Sequence, residues 1–341
     1  MQDRKATAIA HPNIAFIKYW GNRDDELRLP ANPSLSMNLG DLHTTTTVAF
    51  EEGLERDEVI IDGQPAEEAA RGRVSTHLDL IRQLAGMPRP APGASGAAPR
   101  SAARVVSRSN FPAGVGIASS ASAFAALTVA ACAAAGLDLT EAELSALARR
   151  GSGSACRSLP GGYTEWMMGR GNATSFAHSV APASHWDLRD LVVVVSREHK
   201  AVGSSRGHGL AVSSPLHAAR LLAAPAMLAA CKRALLARDL EAMGILIEED
   251  AVMMHAVMMT SRPALYYWAP ATMSVIQAVQ SWRAGGLPVY FTIDAGPNVH
   301  LICEAGDAAQ VESRARALPG VLDVLVSGPG GPARLVKEHL F

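Results

Sequence analysis

The stretch Asn110-Phe-Pro-Ala-Gly-Val-Gly-Ile-Ala-Ser-Ser-Ala-Ser-Ala-Phe-Ala-Ala-Leu127 carries the reading of the whole chain. A proline and two glycines lead into small hydroxylated residues, which run unbroken into an alanine-rich helical pattern. Gly114 and Gly116 allow a tight bend and a close backbone approach to a ligand. Residues 118–122 then place free N–H groups, and the hydroxyls of Ser119, Ser120 and Ser122, at a helix N-terminus. That geometry suits an anion, most obviously the phosphates of a nucleotide. No Gly-Lys-Ser/Thr follows, so this is not a Walker loop, and Gly114-x-Gly116-x-x-Ser119 lacks the third glycine of the dinucleotide fingerprint. A plain glycine-containing turn before a buried helix is the competing reading.

Outward from this loop, 341 residues suffice for two domains with sizeable cores. Lys+Arg 31 against Asp+Glu 32 gives a net charge of −1, which argues against a nucleic-acid or acidic-membrane partner. The four cysteines (Cys132, Cys156, Cys231, Cys303) lie far apart with no C-x-x-C pair, and read as buried thiols in a reducing cytoplasm. No N-terminal apolar run is long enough for a signal peptide. The uncharged segment Ala118–Leu137 is built mostly from Ala and Ser, which predicts a helix packed closely on a sheet and not a membrane span.

Thr7–Tyr19 reads as a strand or hairpin arm, and Thr44–Glu51 and Glu58–Gly63 as two more strands joined by a charged turn. Ala66–Gly86 has helical spacing, Met87–Arg100 is a Pro/Gly/Ala loop, and Arg104–Arg108 is a short strand feeding the glycine loop. Thr140 is the expected N-cap of a further helix. Leu191–Val195 opens a second unit with helices over Pro215–Arg238, Leu240–Met259 and Pro270–Gly285. Strands follow over Val289–Asp294 and Val299–Cys303, and a last helix-then-strand pair runs to Leu325. Strands and helices intermix without regular βαβ alternation, so the expected class is α+β with two lobes, 1–190 and 191–341.

Polar clusters interrupt the apolar pattern at five places. Pro12 to Asp24 carries Asn13, Lys18, Tyr19, Asn22 and Arg23. The glycine loop is the second. Gly151-Ser-Gly-Ser-Ala-Cys-Arg157 offers Ser152, Ser154 and a guanidinium, a second anion clamp unless it is a flexible linker. Lys200 to Gly207 is cationic and hydroxylated, with Ser205 and Arg206. Asp294-Ala-Gly-Pro-Asn298 presents a lone carboxylate that could equally serve its own turn. His255 sits among methionines at helical spacing and reads as a core or surface histidine. Several anion-holding sites and one carboxylate suit two phosphorylated reactants. Gly203-Ser-Ser-Arg-Gly207 also matches G-x-S-x-G, and Asp294 with His300 or His339 has the chain order of a hydrolase triad, but no strand runs directly into Ser205. A nucleotide-binding regulator would have no need for Asp294 beside extra cationic clamps.

Together these motifs resemble the GHMP kinase superfamily and, within it, the mevalonate diphosphate decarboxylase group. The resemblance covers nearly the whole chain, through Ala10-His-Pro-Asn-Ile-Ala-Phe-Ile-Lys-Tyr-Trp-Gly21, the loop Phe111–Leu127, Gly151-Ser-Gly-Ser-Ala-Cys-Arg-Ser158 and Ile293-Asp-Ala-Gly-Pro-Asn298. It implies a two-lobed fold with ATP and Mg²⁺ in the cleft, a homodimer, and decarboxylation after phosphorylation of a tertiary hydroxyl. By resemblance Asp294 accepts or orients the hydroxyl proton beside Lys18, Arg157 holds the substrate carboxylate, and Asn13 fixes that end. Tyr19, Asn22, Ser152, Ser154, Ser205 and Arg206 would grip the phosphate end. Asn110, Gly114, Gly116, Ser119, Ser120, Ser122 and Lys200 would hold the nucleotide, with Ser119 or Ser120 on the metal. A kinase that phosphorylates without decarboxylating is a further possibility within the superfamily.

One position departs from that pattern. The family usually shows Lys-Tyr-Trp-Gly-Lys, and this chain has Asn22 after the glycine. A cation is missing where a diphosphate would need it, so the expected substrate is mevalonate 5-phosphate, with the 5-diphosphate as the alternative.

Overall fold

The computed structural model describes residues 5–51, 54–88, 101–111, 119–198 and 202–341, with all their side chains except that of Ser205. The first half contains strands β1 (Lys5–Ala10), β2 (Asn13–Ile17), β3 (Asn22–Asp24), β4 (Leu29–Pro30), β5 (Ser34–Asn38), β6 (Thr44–Glu51), β7 (Glu58–Ile61) and β8 (Gln64–Pro65), then helix α1 (Glu68–Leu84) and β9 (Ala102–Ser109). Helices α2 (Ser119–Ala134) and α3 (Glu141–Gly151) follow, then β10 (Tyr163–Trp166) and β11 (Ala177–Ala181). The second half has β12 (Leu188–Val194), α4 (Ser204–Leu210), α5 (His217–Ala237), α6 (Leu240–Thr260), α7 (Pro270–Ala284), β13 (Tyr290–Thr292), β14 (Val299–Glu304), α8 (Ala308–Arg316), β15 (Asp323–Ser327) and β16 (Arg334–Val336). The class is α+β, as the sequence predicts.

Three larger sheets organise these elements, ordered β16-β1-β6-β9-β7-β8, β11-β10-β5-β2 and β13-β14-β12-β15. Two expectations are corrected here. Thr7–Tyr19 is not one strand or hairpin arm, because the chain breaks at His11-Pro12 and β1 and β2 join different sheets. β6 and β7 are not a hairpin either: β9 lies between them, antiparallel to β6 and parallel to β7. The final strand β16 returns from the end of the chain to pair with β1.

The alanines of the opening stretch have a packing role. α2 is buried around almost its whole circumference, with Ala121, Ala125, Ala126, Ala130, Ala131 and Ala134 in the core shared by the first sheet, α1, α3 and the turn after α3, as a helix apolar on all sides must be. Small side chains let it approach closely, and Phe124 fills the space at Gly151, where a Cβ would overlap its ring. Thr140 caps α3 through a full capping box with Glu143. Residues 153–158 form a buried 3₁₀ turn, so the Gly-Ser run is part of the packed fold and not a linker. All four cysteines are free and buried. Among the described residues no helix is long and apolar enough to cross a membrane.

Candidate active site

Asp294 lies two residues past β13, where the chain turns toward β14. Its carbonyl accepts the Gly296 N–H at 2.7 Å, so the backbone closes the turn and the carboxylate is left for other work. That carboxylate meets Lys18, with Nζ 2.6 Å from Oδ1. The Lys18 side chain is 2 % exposed and that of Asp294 26 %, so the pair opens on one side only. Burial would raise the Asp294 pKa, but the charges of Lys18, His300 and Arg157, with the Lys18 hydrogen bond, outweigh it and hold the group below the ordinary carboxylate value.

The open side faces a cleft of about 920 Å³. Into it come Lys18, Tyr19 and Asn22 from the segment after β2, Ser119 and Ser120 from the start of α2, Ser152 and Ser154 from the turn after α3, Arg157, and Ser204 and Arg206 from α4. The first turn of α2 carries no acidic residue, and Ser119 and Ser120 at its start line the cleft, a helix end whose dipole favours an anion. Ser120 Oγ lies 3.2 Å from Ser152 Oγ, which joins the two serine clusters into one wall.

Arg157 is 4 % exposed and is aimed by its neighbours. Nε donates to Asn13 Oδ1 at 3.1 Å and Nη1 to Ser34 Oγ at 2.8 Å. Asn13 is itself fixed by donating to Ser158 Oγ at 2.8 Å and to the Ser154 carbonyl at 3.2 Å. Asn13 therefore sits behind Arg157 and does not line the cleft. Burial lowers the Arg157 pKa, with Asp294 among the charges opposing it.

Tyr19 is held by rings on two sides, Trp166 at 4.6 Å and His208 at 4.1 Å between centroids. Its hydroxyl donates to Asn22 Oδ1, and Asn22 Nδ2 donates to Asp25 Oδ1 at 2.8 Å. Burial lowers the His208 pKa to about 3, helped by Arg28, Arg157 and Arg220, so the ring is neutral and its Nδ1 accepts the Gly21 N–H at 3.0 Å. A Cβ at Gly153 would stand 2.6 Å from the Tyr19 ring. Gly153→Ala is expected to destabilise the protein by about 1–3 kcal/mol through overpacking; an unchanged thermal midpoint would contradict the tight fit.

Two residues expected at the nucleotide do not line the described cleft. Ser122 is buried, with its hydroxyl 2.7 Å from Thr44 Oγ1. Asn110 accepts the His43 N–H at 2.8 Å and donates to the Asp41 carbonyl at 2.8 Å, tying β9 to the turn before β6. Gly114, Gly116, Lys200 and the Ser205 side chain lie outside the described residues, as does most of the Met87–Arg100 loop. The hydrolase arrangement is not formed. β12 ends ten residues before α4 begins, His300 Nδ1 donates to Asp190 at 2.8 Å, and His339 is paired with Thr7.

Sequence reasoning missed Asp25, Arg28, Arg73, His208 and Met254, all of which line the cleft. Arg73 lies on α1 with nothing in its spacing to mark it. His208 follows directly on the cationic Lys200–Gly207 cluster, which was the one available signal. Among the described residues no group of three or more His, Cys, Asp or Glu could hold a metal ion. A magnesium ion fits this donor set only as a partner of phosphate oxygens, water and the Ser119 or Ser120 hydroxyl, which is how that ion usually binds beside nucleotides.

A cleft that gathers serine hydroxyls, guanidinium groups and the start of α2 around one carboxylate, in an α+β fold, is of the GHMP kinase type. The comparisons narrow the class. Residues 10–177 match the diphosphomevalonate decarboxylase-like N-terminal domain, and residues 190–319 the mevalonate 5-diphosphate decarboxylase C-terminal domain. The chain belongs to the diphosphomevalonate decarboxylase family. It is 40 % identical over 304 residues to diphosphomevalonate decarboxylase of Bos taurus, covering 86 % of this chain and 75 % of the relative. It is 33 % identical over 335 residues to phosphomevalonate decarboxylase of Haloferax volcanii, covering 98 % of both. The crystal structure of mevalonate diphosphate decarboxylase from Staphylococcus aureus superposes with a TM-score of 0.89 at 33 % identity, covering 98 % of both chains. A structure described as MDDEF in complex with MVAPP, AMPPCP and magnesium gives 0.89 at 34 % identity, covering 98 % of this chain and 99 % of that one.

Proposed function

We propose that this chain catalyses the ATP-dependent decarboxylation of mevalonate 5-diphosphate to isopentenyl diphosphate. The observation that carries the proposal is the Lys18–Asp294 pair at 2.6 Å, sharing one cleft with Arg157, Ser119 and Ser120. A tertiary hydroxyl is a poor leaving group, so it must first receive the terminal phosphoryl group of ATP. Asp294 orients that hydroxyl and takes its proton. Arg157 holds the carboxylate in a two-pronged grip. Amides and hydroxyls at Ser119, Ser120 and Ser152 hold the transferring phosphates in line. Magnesium, when bound, neutralises phosphate charge as it builds. Phosphate then leaves with the C–O bonding pair, the bond to the carboxylate supplies the electrons of the new alkene, and CO₂ departs. The residues of Mg²⁺ coordination, the homodimer, a cytoplasmic location and the division into lobes 1–190 and 191–341 belong to the same proposal. One ADP, one phosphate and one CO₂ per turnover support it; ADP without CO₂ would mark a kinase instead.

Mevalonate 5-phosphate is the second reading, favoured by Asn22. Both ends of that amide are taken, one by Tyr19 and the other by the carboxylate of Asp25, so the position adds an acid where the family's lysine adds a cation. The Haloferax relative, named a phosphomevalonate decarboxylase, agrees with it. Against it, Arg28 and Arg73 line the same cleft and can replace the missing charge, and most of the relatives are named for the diphosphate. The weight therefore falls on the diphosphate, opposite to the expectation from Asn22 alone. Asn22→Lys is expected to raise the ratio of kcat/KM for diphosphate over monophosphate by about 10-fold or more, the worth of one charge-assisted hydrogen bond. An unchanged ratio means the two arginines already set the preference.

A further inference from the structure

We propose that helix α6 is the jig for the reacting pair, gripping the backbone of both partners: Asp250 takes the N–H of Lys18, and His255 donates to the carbonyl of Asp294. The inference rests on the reading of Lys18 and Asp294 just given. Lys18 stands immediately past the end of β2, where no sheet ladder satisfies its backbone. Asp250 is fully buried, and its Oδ2 accepts the Lys18 N–H at 2.6 Å. Its Oδ1 accepts from Arg220 Nη2 at 2.9 Å, and the same nitrogen donates to the Lys18 carbonyl at 2.8 Å. Asn32 Nδ2 donates to that carbonyl at 2.9 Å. Both polar groups of the Lys18 peptide thus end on a buried ion pair between α5 and α6.

Five residues along α6, His255 reaches the other partner. Its Nε2 lies 3.2 Å from the Asp294 carbonyl, and since a carbonyl only accepts, Nε2 carries the proton. Burial and the Lys18 charge bring the His255 pKa to about 4, so the ring is neutral at working pH. Trp268 at 5.0 Å and Tyr267 at 6.4 Å between ring centroids wall it in. The helix also holds the strand that leads to Asp294, because Glu248 Oε1 accepts the Phe291 N–H at 3.1 Å. Lys18 and Asp294 come from sequence positions far apart. One rigid helix referencing both sets their separation independently of the bond between them, which is preorganisation of charge in the sense that matters for catalysis.

Asp250 and His255 are positioning residues, so the test must read more than lost activity. Purified full-length His255→Leu, His255→Gln and Asp250→Asn are assayed with ATP and both phosphorylated mevalonates, beside Asp294→Asn. His255→Leu and Asp250→Asn should lower kcat by between about 10- and 100-fold, the cost of a misplaced reacting group, with both KM values within two-fold. The acid limb of kcat should move to higher pH, because Asp294 is then held less firmly against Lys18. The other groups facing Asp294 are Arg157, His300 and the neutral His255 ring. His255→Gln, which keeps a donor, should regain most of the loss. Folded His255→Leu with kcat within two-fold of the parent overturns the proposal. So does a loss that follows thermal stability, with the acid limb unmoved and no recovery in the glutamine variant. Turnover by Asp294→Asn within ten-fold of the parent would sink the reading of the pair itself; a severely impaired Asp294→Asn beside fully active α6 variants sinks only the role of the helix.

Discussion

Asp294→Asn should reduce kcat by about 10³-fold or more while leaving nucleotide affinity within a few-fold of the parent, at the upper part of what a positioned base contributes. The substitution keeps the shape of the side chain and can keep a hydrogen bond from Lys18, whose Nζ is 2.6 Å away. What disappears is the negative charge and with it the proposed acceptor for the hydroxyl proton. An acid so strongly stabilised by Lys18 is a weak base, and this fits phosphoryl transfer. The transition state is loose, so the proton moves late and orientation of the hydroxyl counts for more than basicity. Because the folded pKa lies below the ordinary carboxylate value, the carboxylate is ionised above that lowered pKa and is neutralised only as pH falls through it. The acid limb of kcat/KM should therefore sit below the ordinary carboxylate range. Nucleotide affinity measured by fluorescence or calorimetry, set beside single-turnover kinetics, separates lost chemistry from lost binding. Turnover within ten-fold of the parent would make Asp294 no more than a partner for Lys18.

The parts that read well from sequence are those whose chemistry is local. The Ala-rich run after Ser119 had to be a buried helix, since nothing in it could face water with profit. Thr140-x-x-Glu143 announced its own capping box, and Thr44–Glu51 was a strand by its β-branched run. The parts that were lost are those set by tertiary contact. β5, Ser34–Asn38, does alternate polar and apolar residues, but only over five positions, too short a run to stand out beside the loop before it, and its polar face is buried as well, with Ser34 bonded to Arg157 and Ser36 to Thr164 of β10. The sheet built on it was therefore missed. Among site residues, the convergence of Lys18, Arg157 and Asp294 on one cleft was legible through motif resemblance. Arg73 and Arg28 were not, because a lone arginine on an amphipathic helix or in a turn looks the same whether it faces solvent or substrate. Those two residues changed the weighing of substrates: a cation missing at position 22 matters less where two others stand nearby.

Arg157→Lys is the second substitution with a large expected effect, because it keeps the charge and so isolates geometry. The guanidinium spends Nε on Asn13 and Nη1 on Ser34, which turns a flexible side chain into a fixed plate facing the cleft. A lysine ammonium has no planar fork to match a carboxylate and cannot bond both anchors while reaching the substrate. It would also leave Asn13 Oδ1, in a nearly closed environment, without its donor, a cost of about 1–3 kcal/mol. Charge drains out of the substrate carboxylate as CO₂ forms, so a cation that merely attracts it favours the ground state over the transition state. On the proposed mechanism the value of Arg157 lies in directing the breaking C–C bond opposite the departing phosphate. The expected result is a fall in kcat/KM for the phosphorylated mevalonate of about 10²-fold or more, for two lost charge-assisted bonds, felt in kcat as well as KM. KM for ATP should stay within about three-fold, since the wall around Ser119 and Ser120 proposed to hold the nucleotide is untouched. A lysine variant with unchanged kcat and a modest rise in substrate KM would show that attraction alone is required, and that the Asn13–Ser34 anchorage serves folding and not the reaction.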